Sequence, residues 1–494
     1  MERLQYLPAD ADRLQGALLT VVLLACLLIA RPALAVPARI TNGELDRLVP
    51  RLMDEADIPG MSVVVLSDGR VSYVGNFGVA SRADGTAVER DTRFFAASLS
   101  KPVFAFAVLR MASRGELDID RPLCEYLENP RLEHDPRYRR ITARMVLCHT
   151  SGLPNWAEGG RLELGFEPGS GWDYSGEGYI YLQQVVEQLS GRDLQDFMQA
   201  EIFGPLRMPN SSFVAEGRVA NRLVSGHDLL GRPTGRTLPN RRSMNAAGTL
   251  LTTAEDYGRF VEALLRREGI DRKFAAYMST AQTRPTGFFG GDAEDSVYWG
   301  LGFGIESGEH GNNIWQWGDN IDCRSFVMVD VHGGDGIILL SNSENGLSVA
   351  ERLTQSVLSG PHPAFDWLPF AASDDPRFIA RRDLEEDFFL NEGRSAQRIY
   401  DRAQRQLDAT ALTELVVSTG KHLVRDGLPQ QAISLLQMHV SGNPRDPGAH
   451  DLLASFHLST GNARAALAEL QASAKLDPGN RERNAKIAQL QRQI

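Results

Sequence analysis

The amino-acid sequence predicts an α+β fold in which one antiparallel sheet is flanked by helices, with a helical domain beside it and an all-α region at the C-terminus. Three observations predict this fold. β-rich runs occupy both ends of the segment 40–360, helical patterns fill its middle, and a helical repeat follows it. Strands that come first and last, with helices between them, are typical of an antiparallel sheet built from both ends of a domain.

The first β-rich runs cover residues 61–66 and 71–79. They are joined across Asp68-Gly69, a dipeptide typical of a tight hairpin turn. Strand patterns return near the end of the segment, at residues 301–306, 326–330 and 336–340.

Helical patterns cover residues 98–114 and 178–189. The first of these places Ser98 and Lys101 three residues apart at the head of an apolar helix, where both side chains face the same side. A buried lysine amine can stay neutral and can take the proton of a serine hydroxyl, so the pair predicts a nucleophile and its base. The same spacing occurs at Ser418 and Lys421, which lie in the repeat region.

Four stretches in the expected order resemble the serine β-lactamase and penicillin-binding-protein superfamily, in particular its class C-like and esterase branch. They are Ala97-Ser98-Leu99-Ser100-Lys101-Pro102, His149-Thr150-Ser151-Gly152-Leu153-Pro154, Trp172-Asp173-Tyr174-Ser175-Gly176 and Ala247-Gly248-Thr249-Leu250-Leu251-Thr252. The resemblance implies that Ser98 is the acylated nucleophile, that Lys101 is its base, and that Tyr174 shares the proton transfer. For Tyr174 we expect a pKa lowered by the neighbouring cation of Lys101.

Two positions depart from the β-lactamase pattern. Gly176 stands where β-lactamases carry an asparagine, and Gln316-Trp317-Gly318 stands where they carry Lys-Thr-Gly. This chain therefore lacks the lysine cation and the asparagine amide of the β-lactamase pattern. Their loss puts recognition of a β-lactam in doubt but does not affect acyl transfer. Trp317, with Trp172 or Trp156, is expected to wall an apolar pocket for the substrate.

The resemblance also implies an oxyanion site between the backbone N–H groups of Ser98 and Asp319. It implies no cofactor, and no histidine or cysteine spacing of a metal site is present. The net charge of −11 argues against nucleic acid as a partner.

The N-terminus predicts a signal peptide over residues 1–35, because an uncharged run of 15 residues is followed by Ala-Leu-Ala. The expected location is therefore secreted or periplasmic. Acidic residues before the run keep a membrane anchor over residues 16–38 as the alternative.

The predicted domains are a serine hydrolase domain at 40–360, a linker at 361–393 and a helical region resembling tetratricopeptide repeats at 394–494. Pairs of similar residues recur 34 positions apart, namely Gly427/Gly461, Ala432/Ala466, Ile433/Leu467, Leu436/Leu470 and Pro444/Pro478. This region is expected either to bind a protein partner or to stabilise the hydrolase.

The function predicted from the sequence is hydrolysis of a small-molecule ester or amide, with an esterase favoured. A peptidase or amidase acting on D-amino-acid peptides, or a β-lactamase, is the alternative enzyme. The alternative of another class is a catalytically silent scaffold whose tail recruits partners.

Overall fold

The structure is a computed structural model that describes residues 40–217, 220–286, 296–308 and 310–494. The predicted signal peptide and the whole of the alternative anchor at 16–38 lie outside the described residues. Within these ranges, every helix is too short or too polar to cross a bilayer.

The strands fall into a large sheet and a small one. In chain order they are β1 Gly60–Ser67, β2 Arg70–Gly78, β3 Phe94–Ala97, β4 Leu250–Thr252, β5 Val297–Trp299, β6 Gly304–Gly308, β7 Gly311–Asp319, β8 Arg324–Asp330 and β9 Gly336–Ser341. The large sheet has the antiparallel order β2-β1-β9-β8-β7-β6-β5, and β3 pairs with β4 in the small one.

The large sheet is assembled from both ends of the domain, as the sequence predicts. β1 pairs with β9 in a register that sets Met61 opposite Ser341. The β1–β2 hairpin turns at Asp68 and Gly69, whose positive φ angles of 53° and 73° give the primed turn that matches strand twist. The predicted fold class is confirmed, although the strand predicted at 301–306 begins three residues later, at Gly304.

Helices pack on the sheet and continue into the C-terminal region. In chain order they are α1 Asn42–Ala56, α2 Ser100–Ser113, α3 Ala143–Leu147, α4 Gly176–Ser190, α5 Leu194–Met198, α6 Ala254–Leu265, α7 Arg272–Ser279, α8 Ala350–Gln355, α9 Pro363–Trp367, α10 Pro376–Leu390, α11 Ala396–Gln406, α12 Ala409–Arg425, α13 Pro429–Gly442, α14 Pro447–Ser459, α15 Ala463–Leu476 and α16 Arg481–Gln493. α2 is buried on nearly all sides, as its apolar sequence dictates.

The segment predicted as a linker contains α9 and α10. α9 is held against β6 by Glu306, a buried residue whose carboxylate lies 2.8 Å from His362 Nδ1 and accepts from the Ala364 N–H at 3.0 Å. Because a buried carboxylate must find partners, this pairing fixes where α9 lies. The division of the chain into domains stays a prediction.

The C-terminal region is helical from α11 to α16. Gly420 on α12 permits close helix packing, because a Cβ there would lie 2.9 Å from the ring of Phe456 on α14. Buried Glu344, which follows β9, binds Arg381 of α10 at 2.6 Å and lies 3.1 Å from His422 of α12. These ion pairs attach the helical region to the sheet. The assignment of the helical region to tetratricopeptide repeats stays a prediction.

Candidate active site

Ser98 stands at the junction between β3 and α2. Ala97, the last residue of β3, has φ = +49°, a strained value for a residue with a side chain. The chain turns sharply there, and Ser98 remains partly exposed while the residues around it are buried. Ser100 secures the turn, since its hydroxyl donates to the Ala97 carbonyl and accepts from the Leu250 N–H.

Lys101 is the buried neighbour of this hydroxyl. Its Nζ lies 3.1 Å from Ser98 Oγ and donates to the Ala247 carbonyl at 2.8 Å. Only 1% of the residue is exposed, and burial lowers the pKa of its amine from 10.5 to about 7. A large fraction of Lys101 is thus unprotonated near neutral pH and can accept the proton of Ser98.

Tyr174 is placed beside the pair by the segment that precedes α4. The ring of His149 lies 4.3 Å from the Tyr174 ring, centroid to centroid, and its Nδ1 accepts from the Ser175 N–H at 3.0 Å. Burial lowers the pKa of His149 well below its usual value, so the ring is neutral and carries its proton on Nε2. The sequence patterns did not indicate this support of Tyr174, which joins two distant segments.

The expected lowering of the Tyr174 pKa is wrong. Burial raises the pKa of the phenol above its usual value of 10, although hydrogen bonds with Ser98 and Gln316 oppose the rise. Only 2% of Tyr174 is exposed. The expectation failed because it took Lys101 as a full cation, whereas the burial that makes Lys101 a base also removes much of its positive charge.

Gln316 lies inside the protein on β7, with no exposed surface. Its Nε2 donates to Tyr174 Oη at 2.8 Å and to the Trp317 carbonyl at 2.9 Å. The structure therefore places Gln316 behind Tyr174, as a partner of the phenol.

Gly318 lets β7 run close to Ser98. A Cβ at this position would lie 2.5 Å from the Ala96 carbonyl of β3, which also accepts from the Ser325 hydroxyl at 2.8 Å. Asp319 follows at the end of β7, where its carboxylate accepts from Arg324 Nε at 3.2 Å. Glycine is thus required for the approach that brings the Asp319 backbone to the site edge.

Gly176 and Trp156 form the mouth of the site. A Cβ on Gly176 would lie 2.9 Å from the Trp156 ring, and this ring is centred 5.9 Å from Lys101 Nζ. Trp156 is 56% exposed, which is unusual for an indole and leaves much of its ring open to solvent near Lys101.

Trp317 belongs to a buried aromatic cluster behind Tyr174. Its ring is centred 4.8 Å from that of Tyr174 and 5.8 Å from that of Trp367 on α9. Trp367 also packs on Trp172, 6.0 Å between centroids. Sequence patterns did not indicate a role for Trp367, because it follows the predicted end of the hydrolase domain. Of the tryptophans proposed as a pocket wall, the exposed one is Trp156, while Trp172 and Trp317 are each 5% exposed.

A family model described as Beta-lactamase matches residues 45–360. The chain belongs to this family. Its members are serine hydrolases, and the match covers more than half of the chain.

Relatives of this β-lactamase family include enzymes of different activity. Esterase EstB of Burkholderia gladioli is 32% identical over 214 residues, which cover 37% of this chain and 54% of the esterase. A class C beta-lactamase has a TM-score of 0.55 at 19% identity, covering 66% of this chain and 99% of its own. The D-alanine carboxypeptidase AmpC of Burkholderia cenocepacia has a TM-score of 0.53 at 20% identity, and the match covers 63% of this chain and 97% of the carboxypeptidase. The structural likenesses support the fold alone.

Proposed function

We propose that the chain is a carboxylic ester hydrolase that acts through an acyl-enzyme on Ser98 and prefers neutral, apolar esters. The observation that carries the proposal is the partly exposed Ser98 hydroxyl, 3.1 Å from a buried amine whose pKa is about 7. Such an amine is poised to act as a general base at neutral pH.

In acylation, Ser98 Oγ bonds to the ester carbonyl carbon while its proton passes to Lys101 Nζ. The backbone N–H groups of Ser98 and Asp319 stabilise the oxyanion of the tetrahedral intermediate by donating hydrogen bonds to it. The C–O bond to the alcohol then breaks, and Lys101 returns the proton to the leaving alkoxide. Water hydrolyses the acyl-Ser98 ester by the same steps, with Lys101 again accepting and returning a proton.

The preference for neutral substrates is supported by the charges around the site. Gln316 is neutral, and two arginines near the end of β7 are paired with carboxylates of the protein. Arg324 binds Asp319, and Arg236 binds buried Asp322. A substrate carboxylate would have to compete with these acids for either arginine. The open face of Trp156 instead offers apolar contact area to an acyl or alcohol group.

The test compares p-nitrophenyl butyrate, a chromogenic cephalosporin and a D-alanyl amide as substrates of the wild-type protein. The butyrate ester should be hydrolysed fastest, and Ser98→Ala should abolish the activity and the labelling by a fluorophosphonate probe. Ser418→Ala is the matched control, because Ser418 also precedes a lysine by three residues but lies on α12 of the tail. Faster turnover of the amide would support the peptidase alternative, and an unlabelled Ser98 would support the silent scaffold.

We also propose export from the cytoplasm with a mature N-terminus near Val36, on the basis of the uncharged run and the Ala-Leu-Ala that follows it. N-terminal sequencing of protein from the native host should begin near Val36. A protein that begins at Met1 and stays in the membrane fraction would support the anchor instead.

A further inference from the structure

We propose that Ile321 is a specificity-determining residue that binds the apolar acyl chain of the ester, so that the site prefers straight-chain acyl groups longer than acetyl. The inference rests on the acyl-enzyme function proposed above and specifies which part of the substrate the site selects. It begins from an exposed and strained residue in the turn that joins β7 to β8.

Ile321 is one of the few large apolar side chains of the described residues that lie in solvent. It is 52% exposed, whereas the two strands that the turn joins are mostly buried. A single exposed apolar residue is common on protein surfaces and does not by itself indicate a site. The backbone of Ile321 supplies a second, independent observation.

The backbone of Ile321 is strained. Its φ angle is +73°, a value that residues branched at Cβ rarely adopt. The Asp322 N–H donates to the Asn320 carbonyl at 3.0 Å, which closes a γ-turn centred on Ile321. A γ-turn of positive φ is rare and strained, and glycine or asparagine would adopt it more readily. Neither packing nor backbone conformation therefore explains an isoleucine at this position.

Neighbouring groups hold the turn in this conformation. The Ile321 N–H donates to the Asp319 carboxylate at 2.7 Å. Arg236 donates to the Asn320 carbonyl and to the Asp322 carboxylate. Strained residues that are held in this way are concentrated at active sites and ligand-binding sites. A group on a rigid turn also loses less conformational freedom when it binds a ligand.

The turn lies at the mouth of the active site. Ile321 follows Asp319 by two residues, so their Cα atoms are at most about 7 Å apart. The Asn320 side chain donates to the Gly248 carbonyl at 3.4 Å, and a Cβ on Gly248 would lie 3.9 Å from the Trp156 ring. Ile321 and Trp156 therefore both border the mouth, and we call them the apolar rim.

The chemistry of acylation assigns a different part of the ester to each member of the apolar rim. Lys101 returns its proton to the leaving alkoxide, so the alcohol lies on the side of Lys101, where the Trp156 ring is centred 5.9 Å from Nζ. The backbone N–H of Asp319 is assigned to the carbonyl oxygen of the ester. The acyl chain leaves the same carbon on the remaining side and extends past Asp319 toward Ile321.

The wild-type protein gives the first test, with p-nitrophenyl esters of acetate, butyrate, hexanoate and octanoate dissolved as monomers. A fully buried methylene is worth about fourfold in binding, so a rim that covers about half of each methylene should give about twofold. The kcat/KM should therefore rise about sixteenfold from butyrate to octanoate, which differ by four methylenes. A kcat/KM that stays flat or falls beyond butyrate would overturn the proposal.

Two variants of nearly equal shape isolate the apolar character of Ile321. Ile321→Leu keeps an apolar side chain and should retain the preference for octanoate over acetate. Ile321→Asn should lower the octanoate-to-acetate ratio of kcat/KM about tenfold, because a polar side chain offers no apolar surface to the acyl chain. Equal losses for all four esters would show that Ile321 only shapes the turn that carries Asp319, and would overturn the proposal.

The stability of Ile321→Asn shows whether the strain is real. Because asparagine adopts positive φ more readily than isoleucine, this variant should unfold at the same or a higher urea concentration than the wild type. A lower midpoint would overturn the argument from strain. Leu390→Asn is the matched control, since Leu390 is 67% exposed but lies at the end of α10, and its octanoate-to-acetate ratio should equal that of the wild type.

A second series varies the alcohol, with alkyl acetates from ethyl to hexyl followed by acid release. Trp156→Ala should weaken the dependence on alcohol length, and Ile321→Asn should weaken the dependence on acyl length. The reverse pattern would overturn the assignment of the acyl chain to Ile321.

The two proposals fail in different ways. Wild-type protein that hydrolyses none of these esters and is not labelled at Ser98 by the fluorophosphonate probe would refute the acyl-enzyme function, and this inference with it. Labelled and active protein whose octanoate-to-acetate ratio is the same in Ile321→Asn would refute only the role of Ile321.

Discussion

Replacing Lys101 by methionine should inactivate the protein and also make it more stable at neutral pH. Methionine has nearly the same length and carries no charge that must be buried. The wild-type amine is fully inside the protein, and the folded state lowers its pKa from 10.5 to about 7. At about 1.4 kcal/mol for each tenfold change in proton affinity, this costs the folded state about 4 kcal/mol at pH 7.

The sign of the pH dependence follows from proton binding. Between pH 7 and about pH 10 the unfolded chain binds the proton of Lys101 more often than the folded chain does, so wild-type stability rises with pH. The advantage of Lys101→Met should therefore shrink by about 2 kcal/mol between pH 7 and pH 9. The variant leaves the Ala247 carbonyl without the Lys101 donor, a cost that offsets part of its gain but does not depend on pH.

Urea unfolding of both proteins at a series of pH values measures this difference. Lys421→Met is the matched control, since Lys421 is exposed on α12 and also follows a serine by three residues. Its stability curve should run parallel to that of the wild type. A difference between Lys101→Met and the wild type that stays constant from pH 7 to pH 9 would refute the argument that burial makes Lys101 a neutral base.

Three further predictions concern activity and the site edge. The kcat/KM of ester hydrolysis should rise with pH to a plateau with a midpoint near 7, because Lys101 must lose its proton, and a profile flat through neutrality would contradict that role. Trp156→Ala should raise the KM for apolar esters about three- to tenfold and change kcat less, as steady-state kinetics with esters of increasing chain length would show. Gly318→Ala should cost about 1–3 kcal/mol of stability and most of the acylation rate, because its Cβ meets the Ala96 carbonyl. Gly235→Ala is the control, since a Cβ there has no heavy atom of the described structure within 4 Å, and equal unfolding midpoints for the two variants would count against the steric argument.

Much of the fold could be predicted from local patterns. The β1–β2 hairpin carries its turn in two adjacent residues, Asp68 and Gly69, and the strands on either side alternate or run apolar over several residues. The proximity of Ser98 and Lys101 was equally local, because helix geometry brings together residues three apart. Short-range geometry of this kind needs no knowledge of the tertiary structure.

Other properties of the site depend on residues far apart in the chain. The pKa of Tyr174 reflects its burial in the folded chain, and the sequence alone suggested a shift in the opposite direction. The contact between Gln316 and Tyr174 likewise forms only because β7 packs beside the loop that precedes α4. Trp367 is the extreme case, since its partners Trp172 and Trp317 precede it by 195 and 50 residues, counted from their numbers. Sequence patterns cannot predict such contacts, because the contacts stabilise the fold only after long loops have closed.

The position of Trp367 also sets the order of events during synthesis. A ribosome releases the nucleophile Ser98 early, but β1 must wait for β9 before it gains its second neighbour in the sheet. The cluster behind Tyr174 receives its last ring only when residue 367 has left the exit tunnel. A nascent chain stopped at residue 360 would carry every catalytic side chain and still expose the indoles of Trp299 and Trp315 where Trp367 should pack. Such an unfinished chain should be a chaperone client, and enzymatic competence should arise only after the helices beyond the sheet have begun to emerge.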